Sequence, residues 1–299
     1  MPERDATATA HRGKSHSKKE DAKMPKRDVE RRLREWERRL TLFMMLAAYA
    51  NTLLASLFIG VGFIAQNVSV VENPADVSNS VSLLFYMLFA TAVMLLVLRL
   101  YRGKLLFLIL EFGFIFMCAV VAASAFLPGY ELWAAALTLA IRLVFSQTQT
   151  VMLLGSAAVV GAILGASLDF LPAAVFAVLI AAYDYIAVFR TKHMVALAKA
   201  FTERGAAFSV KVRVNRSSME LGLGDFVVGT TVSVAALKIG AFPSLDYGIA
   251  AVLGATAGLA AMFWVLEKKG GYFPAVPPIT AGSLLCVGAY WAVRTAIAG

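Results

Sequence analysis

At 299 residues, 60% hydrophobic and only 16% charged, with a mean hydropathy of +0.73, the chain reads as a polytopic membrane protein rather than a soluble domain with one large core. Its formal net charge of +9, from 28 Lys+Arg against 19 Asp+Glu, gathers in the N-terminal tail and in one loop. Charge placed in this way orients spans at a cytoplasmic face and argues against a nucleic-acid partner.

Residues 1–40 form a basic cytoplasmic tail. Its first 27 residues are polar and charged, unlike a signal peptide, and Met24 is a second candidate start. The stretch DVERRLREWERRL, 28–40, sets Val29, Leu33, Trp36 and Leu40 at helical spacing among arginines. It fits an interfacial amphipathic helix on anionic headgroups, and equally a solvated charged helix.

A spanning helix needs about 20 apolar residues. The candidates, nine in all, fall at about 41–65, 80–101, 105–127, 130–146, 150–168, 170–190, 221–240, 246–266 and 275–297. The expected fold is therefore an all-α bundle, with spans one to six over 41–190, a basic cytoplasmic loop over 191–220, and spans seven to nine over 221–299. The fourth and fifth spans are short. Gly161 and Gly165 give the fifth a small-xxx-small face, read either as a close-packing surface or as two incidental glycines. Cys118 and Cys286 lie inside apolar stretches, so no disulfide framework is expected. His11, His16 and His193 lie outside the spans, leaving no intramembrane imidazole for a metal or a nucleophile; no cofactor and no metal is expected.

Alternate connections are basic. The tail precedes span one, Arg102 and Lys104 follow span two, and Arg142 lies near the end of span four. The 191–220 loop carries Lys192, Lys199, Arg204, Lys211, Arg213 and Arg216, and Lys268 and Lys269 follow span eight. The bias of Lys and Arg puts the N-terminus in the cytoplasm and, with nine spans, the C-terminus outside. Lys238 and Arg294 dissent from this pattern.

Two carboxylates lie inside the apolar runs: Asp184 in AVLIAAYDYIAVF and Asp225 near the head of LGLGDFVVGTTVSVAALKIG. Each costs at least about 2.5–3.5 kcal/mol to insert, which makes a functional site the default reading. Asp184 falls about 9 Å below the inner edge marked by Arg190, and Asp225 about 6 Å below the same edge at 1.5 Å per residue. The two therefore reach similar depths on consecutive spans, and acid/base catalysis is the chemistry that two close carboxylates do best. Gly222 and Gly224 let backbone approach a substrate or permit an unwound start to span seven. Tyr183 and Tyr185 flank Asp184 as candidate donors, with ordinary packing the competing reading for both. Pro274, Pro277 and Pro278 bias the start of span nine toward extended backbone. The alternation of Val210, Val212 and Val214 in FSVKVRV supports a strand, beside the reading of an unstructured basic loop. Asp169 and Asp246 sit at outer span ends, where solvation or capping explains them. Glu111 is deeper, and a salt bridge to Arg142 or a water-filled cavity is preferred to catalysis.

Tyr183-Asp184, Gly222-Leu223-Gly224-Asp225 and Pro274-Ala275-Val276-Pro277, in this order on the last four spans, resemble the YD, GxGD and PAL motifs of the presenilin/signal peptide peptidase family of intramembrane aspartyl proteases. The resemblance covers about 41–297, with the motifs in the last third. It implies a nine-helix fold, Asp184 and Asp225 as the catalytic pair, and Pro274, Ala275, Val276 and Pro277 as the segment shaping the substrate site. Val276 stands where the family usually has leucine, which keeps the apolar character with less reach. The implied substrates are transmembrane proteins; lipids surround the chain, and self-association into a homo-oligomer is left open. The competing class is a proton- or sodium-coupled transporter using the same carboxylates. No inverted repeat is visible, and nine spans do not divide evenly. A passive channel or scaffold would give the paired aspartates no special role. There is no HExxH for a zinc protease and no span histidine for a Ser-His dyad.

Overall fold

Backbone surrounded by lipid must satisfy its own hydrogen bonds, so long apolar runs close into helices. The computed structural model of the chain describes residues 26–101, 103, 105–191, 209–215, 217–269 and 273–298. The tail before residue 26, the loop 192–208 and the charges Arg102, Lys104 and Arg216 lie outside the described residues. The helices are α1 (Lys26–Ala65), α2 (Ser78–Leu100), α3 (Leu105–Phe126), α4 (Glu131–Val144), α5 (Gln149–Ser167), α6 (Phe170–Ile186), α7 (Leu223–Ala236), α8 (Leu245–Lys269) and α9 (Val276–Ala298). A two-stranded hairpin, β1 (Ser209–Val214) and β2 (Ser217–Gly222), precedes α7. The fold is thus predominantly helical rather than strictly all-α.

Six helical segments are long and apolar enough to cross a membrane by themselves, in α1, α3, α5, α6, α8 and α9. Ser78–Met94 of α2 and Leu223–Ala236 are apolar but shorter. Helix α4 has 14 residues, about 21 Å of rise against a hydrocarbon layer of about 30 Å. Helix α7 is equally short and sits at the centre, packed by α1, α5, α6, α8 and α9. From Val228 to Ala236 every residue of it is buried. A short helix is tolerated there because protein, not lipid, surrounds its body from Val228 to Ala236.

Close packing around α7 depends on small residues. A Cβ at Gly161 would overlap Thr230 Oγ1, and one at Gly165 would come within 2.6 Å of the Thr231 carbonyl oxygen. The small-xxx-small face of α5 is therefore the surface that receives α7. The main core joins Met45, Tyr49 and Leu53 of α1 with Leu153 of α5, Phe226 of α7 and Leu259 of α8.

The 28–40 stretch is neither a separate helix nor a loop. It continues the first span as one helix of 40 residues. Its Glu37 accepts a hydrogen bond from Asn215 Nδ2 in the hairpin turn (3.0 Å), and Arg38 pairs with Glu267 near the end of α8 (3.5 Å). In the hairpin, Val210 pairs with Leu221 and both are buried, so the valine alternation seen in the sequence sets one face inward. Asn215, at φ 48°, turns the chain, a conformation asparagine tolerates.

At the opposite end of the bundle, Lys238 reaches the Leu168 carbonyl (3.0 Å) and Asp169 (3.4 Å), and Arg294 pairs with Asp246 (3.0 Å). Both dissenting cations are thus matched by carboxylates, Asp169 and Asp246. Tyr290 also donates to Asp246 (2.7 Å). Glu111 is bound by Arg142 through Nη2 (2.9 Å) and Nε (3.3 Å) and by Gln149 Nε2, which lies 3.0 Å from both carboxylate oxygens. The expected Glu111–Arg142 salt bridge forms.

Candidate active site

Asp184 lies on the last turn of α6, three residues before a π-helical segment, Ala187–Thr191. Such wide turns leave carbonyl groups imperfectly paired and recur at functional positions. Asp225 is the third residue of α7, whose N-cap is Gly222. Its Oδ2 accepts the Gly222 N–H at 3.2 Å, so the carboxylate caps the helix that carries it. A negative charge there also meets the positive end of the helix dipole.

The segment opening α9 completes the arrangement. The Val276 N–H donates to Asp184 Oδ2 at 3.3 Å, an interaction available because the prolines leave this stretch extended before Val276 begins the helix. An aromatic chain supports the same junction, with Tyr185 against Phe189 (4.9 Å) and Phe189 edge-on to Phe273 (5.8 Å). Asp184 lies within Coulombic reach of Asp225. Both are partly exposed at the hairpin end of their helices. Among the described residues, no Lys or Arg pairs with either.

The other predicted residues divide by role. Gly222 supplies the N–H to Asp225, and Gly224 is exposed with open space beside it, which leaves backbone accessible. Leu223 is buried in the main core and holds the start of α7 rather than facing a cleft. Ala275 joins the same core, while Val276 packs with Phe176, Ile180 and Val228 between α6 and α7. Pro274 is buried and Pro277 half-buried. Tyr183 lies within hydrogen-bonding range of the Thr91 hydroxyl on α2. Tyr185 is 57% exposed and packs on Phe189, as the packing reading expects. No group of three or more His, Cys, Asp or Glu side chains that could hold a metal occurs among the described residues.

Sequence reasoning missed Tyr49. Its ring lies 5.2 Å from that of Phe226, and its hydroxyl feels the Asp225 charge. A tyrosine in the first span, far from Asp225 in sequence, carries no motif that would have found it.

The family described as signal-peptide peptidase, presenilin aspartyl protease matches residues 42–208. Two crystal forms of a presenilin family intramembrane aspartate protease, in space groups C222 and P2, are similar in fold, with TM-scores of 0.62 and 0.59. Each is 24% identical to the chain; the matches cover 83% and 82% of this chain and 99% and 96% of those chains. No curated protein matches.

Proposed function

Because the chain belongs to the signal-peptide peptidase, presenilin aspartyl protease family, and is a protease of the membrane, we propose that Asp184 and Asp225 are its catalytic dyad. The observation that carries this reading is their meeting at one end of α6 and α7, each held by one backbone N–H, from Val276 and Gly222. Two carboxylates in Coulombic reach do not both ionise easily, so they share one proton. The ionised member takes a proton from water as its oxygen attacks the scissile carbonyl carbon, and the protonated member gives its proton to the carbonyl oxygen. Collapse of the resulting diol breaks the C–N bond. The departing nitrogen takes a proton from one carboxyl, a hydroxyl proton returns to the other, and the dyad again holds one proton.

The substrates are transmembrane helices of single-span proteins. A peptide bond inside an intact helix is shielded by its own turns, so the substrate unwinds locally and its freed backbone groups need partners. The β1–β2 hairpin, which runs directly into α7, and the extended segment before Val276 stand beside the dyad as candidate edges for such a strand. Nine membrane-spanning segments, with the tail inside and the C-terminus outside, follow from the loop charges. Helices α2, α4 and α7 then cross, or partly cross, sheltered by their neighbours.

Incubating the purified protein with a single-span substrate in vesicles, then weighing the fragments by mass spectrometry, tests this function. Cleavage within the apolar segment is the expected result; intact substrate, with proton or sodium uptake abolished by Asp225→Asn, would replace the protease with a transporter. Labelling of Gly299→Cys from the outer side tests the orientation, and cytoplasmic labelling reverses it.

A further inference from the structure

Tyr49 of α1 is fully buried, and its hydroxyl has no hydrogen-bond partner. It shares that condition with Thr280 Oγ1 alone among the buried side-chain oxygens and nitrogens of the described residues. Buried hydroxyls are ordinarily paired, because leaving one unpaired costs stability. Packing alone does not account for this one: a phenylalanine would make the same ring contact with Phe226 and bury no orphan oxygen. The place of the hydroxyl is defined by Gly229, where an added Cβ would overlap Tyr49 Oη. Gly229 lies four residues after Asp225 on α7, hence on the same helix face one turn away. The missing side chain at 229 is what lets the phenol approach the helix beside Asp225, within electrostatic range of that carboxylate.

Building on the assignment of Asp184 and Asp225 as the dyad, we propose that Tyr49 is a positioning residue whose hydroxyl donates to the Asp225 carboxylate when the substrate site is occupied, keeping the shared negative charge on Asp225. Among the described residues, the titratable groups coupled to Asp225 are Asp184 from α6 and Tyr49 from α1, and these two compete to place that charge. A donor to the ionised form favours it. With Tyr49 in place, the general base becomes available at lower pH.

The test is Tyr49→Phe in the full chain, assayed for cleavage of a single-span substrate across pH. The expected result is a kcat lower by about tenfold, KM within about twofold, and an acid limb of the pH–rate profile displaced upward by about one pH unit. Site-specific 3-fluorotyrosine at position 49, a stronger donor of nearly the same shape, moves that limb the other way. A purely space-filling tyrosine would leave the limb in place in both variants, and that result overturns the proposal. If Tyr49→Phe does not fold, the fluorotyrosine protein decides alone. Asp225→Ala separates the two readings. An inert Asp225→Ala with an unmoved Tyr49→Phe profile removes only the Tyr49 role, whereas an active Asp225→Ala removes the dyad and Tyr49 with it.

Discussion

Glu111 and the Asp184–Asp225 pair put carboxylates into apolar helices in opposite ways. Glu111 is 2% exposed and surrounded by donors: Arg142 cancels its charge through two N–H groups, and Gln149 adds a neutral donor to its remaining lone pairs. Asp184 and Asp225 each accept one backbone N–H, from Val276 and Gly222, and neither pairs with a Lys or Arg among the described residues. A carboxylate whose acceptor sites are filled and whose charge is cancelled has nothing left to offer a substrate. One with acceptor capacity to spare can bind water and exchange a proton. Intramembrane charge marks function only when local pairing has not already spent it.

The largest effect that would sharpen this contrast is loss of catalysis. Asp184→Ala and Asp225→Ala should each lower turnover by at least about 10³-fold while the protein stays folded, measured by fragment mass spectrometry alongside thermal unfolding. Wild-type turnover in either would erase the distinction drawn here. Next comes stability at the other site. Arg142→Ala leaves the buried Glu111 without its counter-charge, with Gln149 still donating, and should cost about 3–5 kcal/mol, whereas the joint change Glu111→Leu with Arg142→Leu should recover most of that loss. If the joint variant proved as unstable as the single one, the cluster would be doing more than neutralising a charge.

The pH profile gives a subtler comparison. With Asp184 and Asp225 as the proposed dyad, no general base exists below their first ionisation and no acid above their second, so activity is expected to fall on both sides of a bell. Arg142→Ala should leave both limbs where they are when rates are normalised to folded protein. A rate rising to an alkaline plateau would point to a different catalyst. The smallest effect concerns the connection between α6 and α7. The 191–220 segment is short and charged, and Lys211 and Arg213 resist entering the hydrocarbon layer as an internal substrate. Active preparations should therefore contain one uncut chain of 32.1 kDa on denaturing gels. Obligate cleavage in this loop, with an uncleavable variant inert, would contradict that.

Much of the candidate site was legible before the fold. Asp184 and Asp225 stood out because lipid penalises charge, and the Val210–Val214 alternation supported a strand, beside an unstructured basic loop, because one face could be buried. The Glu111–Arg142 pair followed from the same penalty, but the contribution of Gln149 did not, since a polar amide near a span end has many ordinary reasons to be there. Hydropathy drew α7 too long: Leu237, Ile239 and Gly240 are apolar or small, with Lys238 alone among them charged, yet the helix ends at Ala236, and only its neighbours reveal that a short helix suffices. The continuity of α1 through 28–40 was likewise hidden, because an amphipathic pattern does not say whether a helix bends where the apolar run begins. Tyr49 was invisible for a different reason: its meaning comes from Gly229, and nothing local ties the two together.

The 40 residues of α1 make a rod about 60 Å long. Its exposed end is fastened by the Asn215–Glu37 hydrogen bond and the Arg38–Glu267 pair, both weak surface attachments. Tyr49 lies about 18 Å further along the same axis, where α1 enters the main core and packs on Phe226. One continuous helix therefore joins the surface contacts at Glu37 and Arg38 to the side chain beside Gly229.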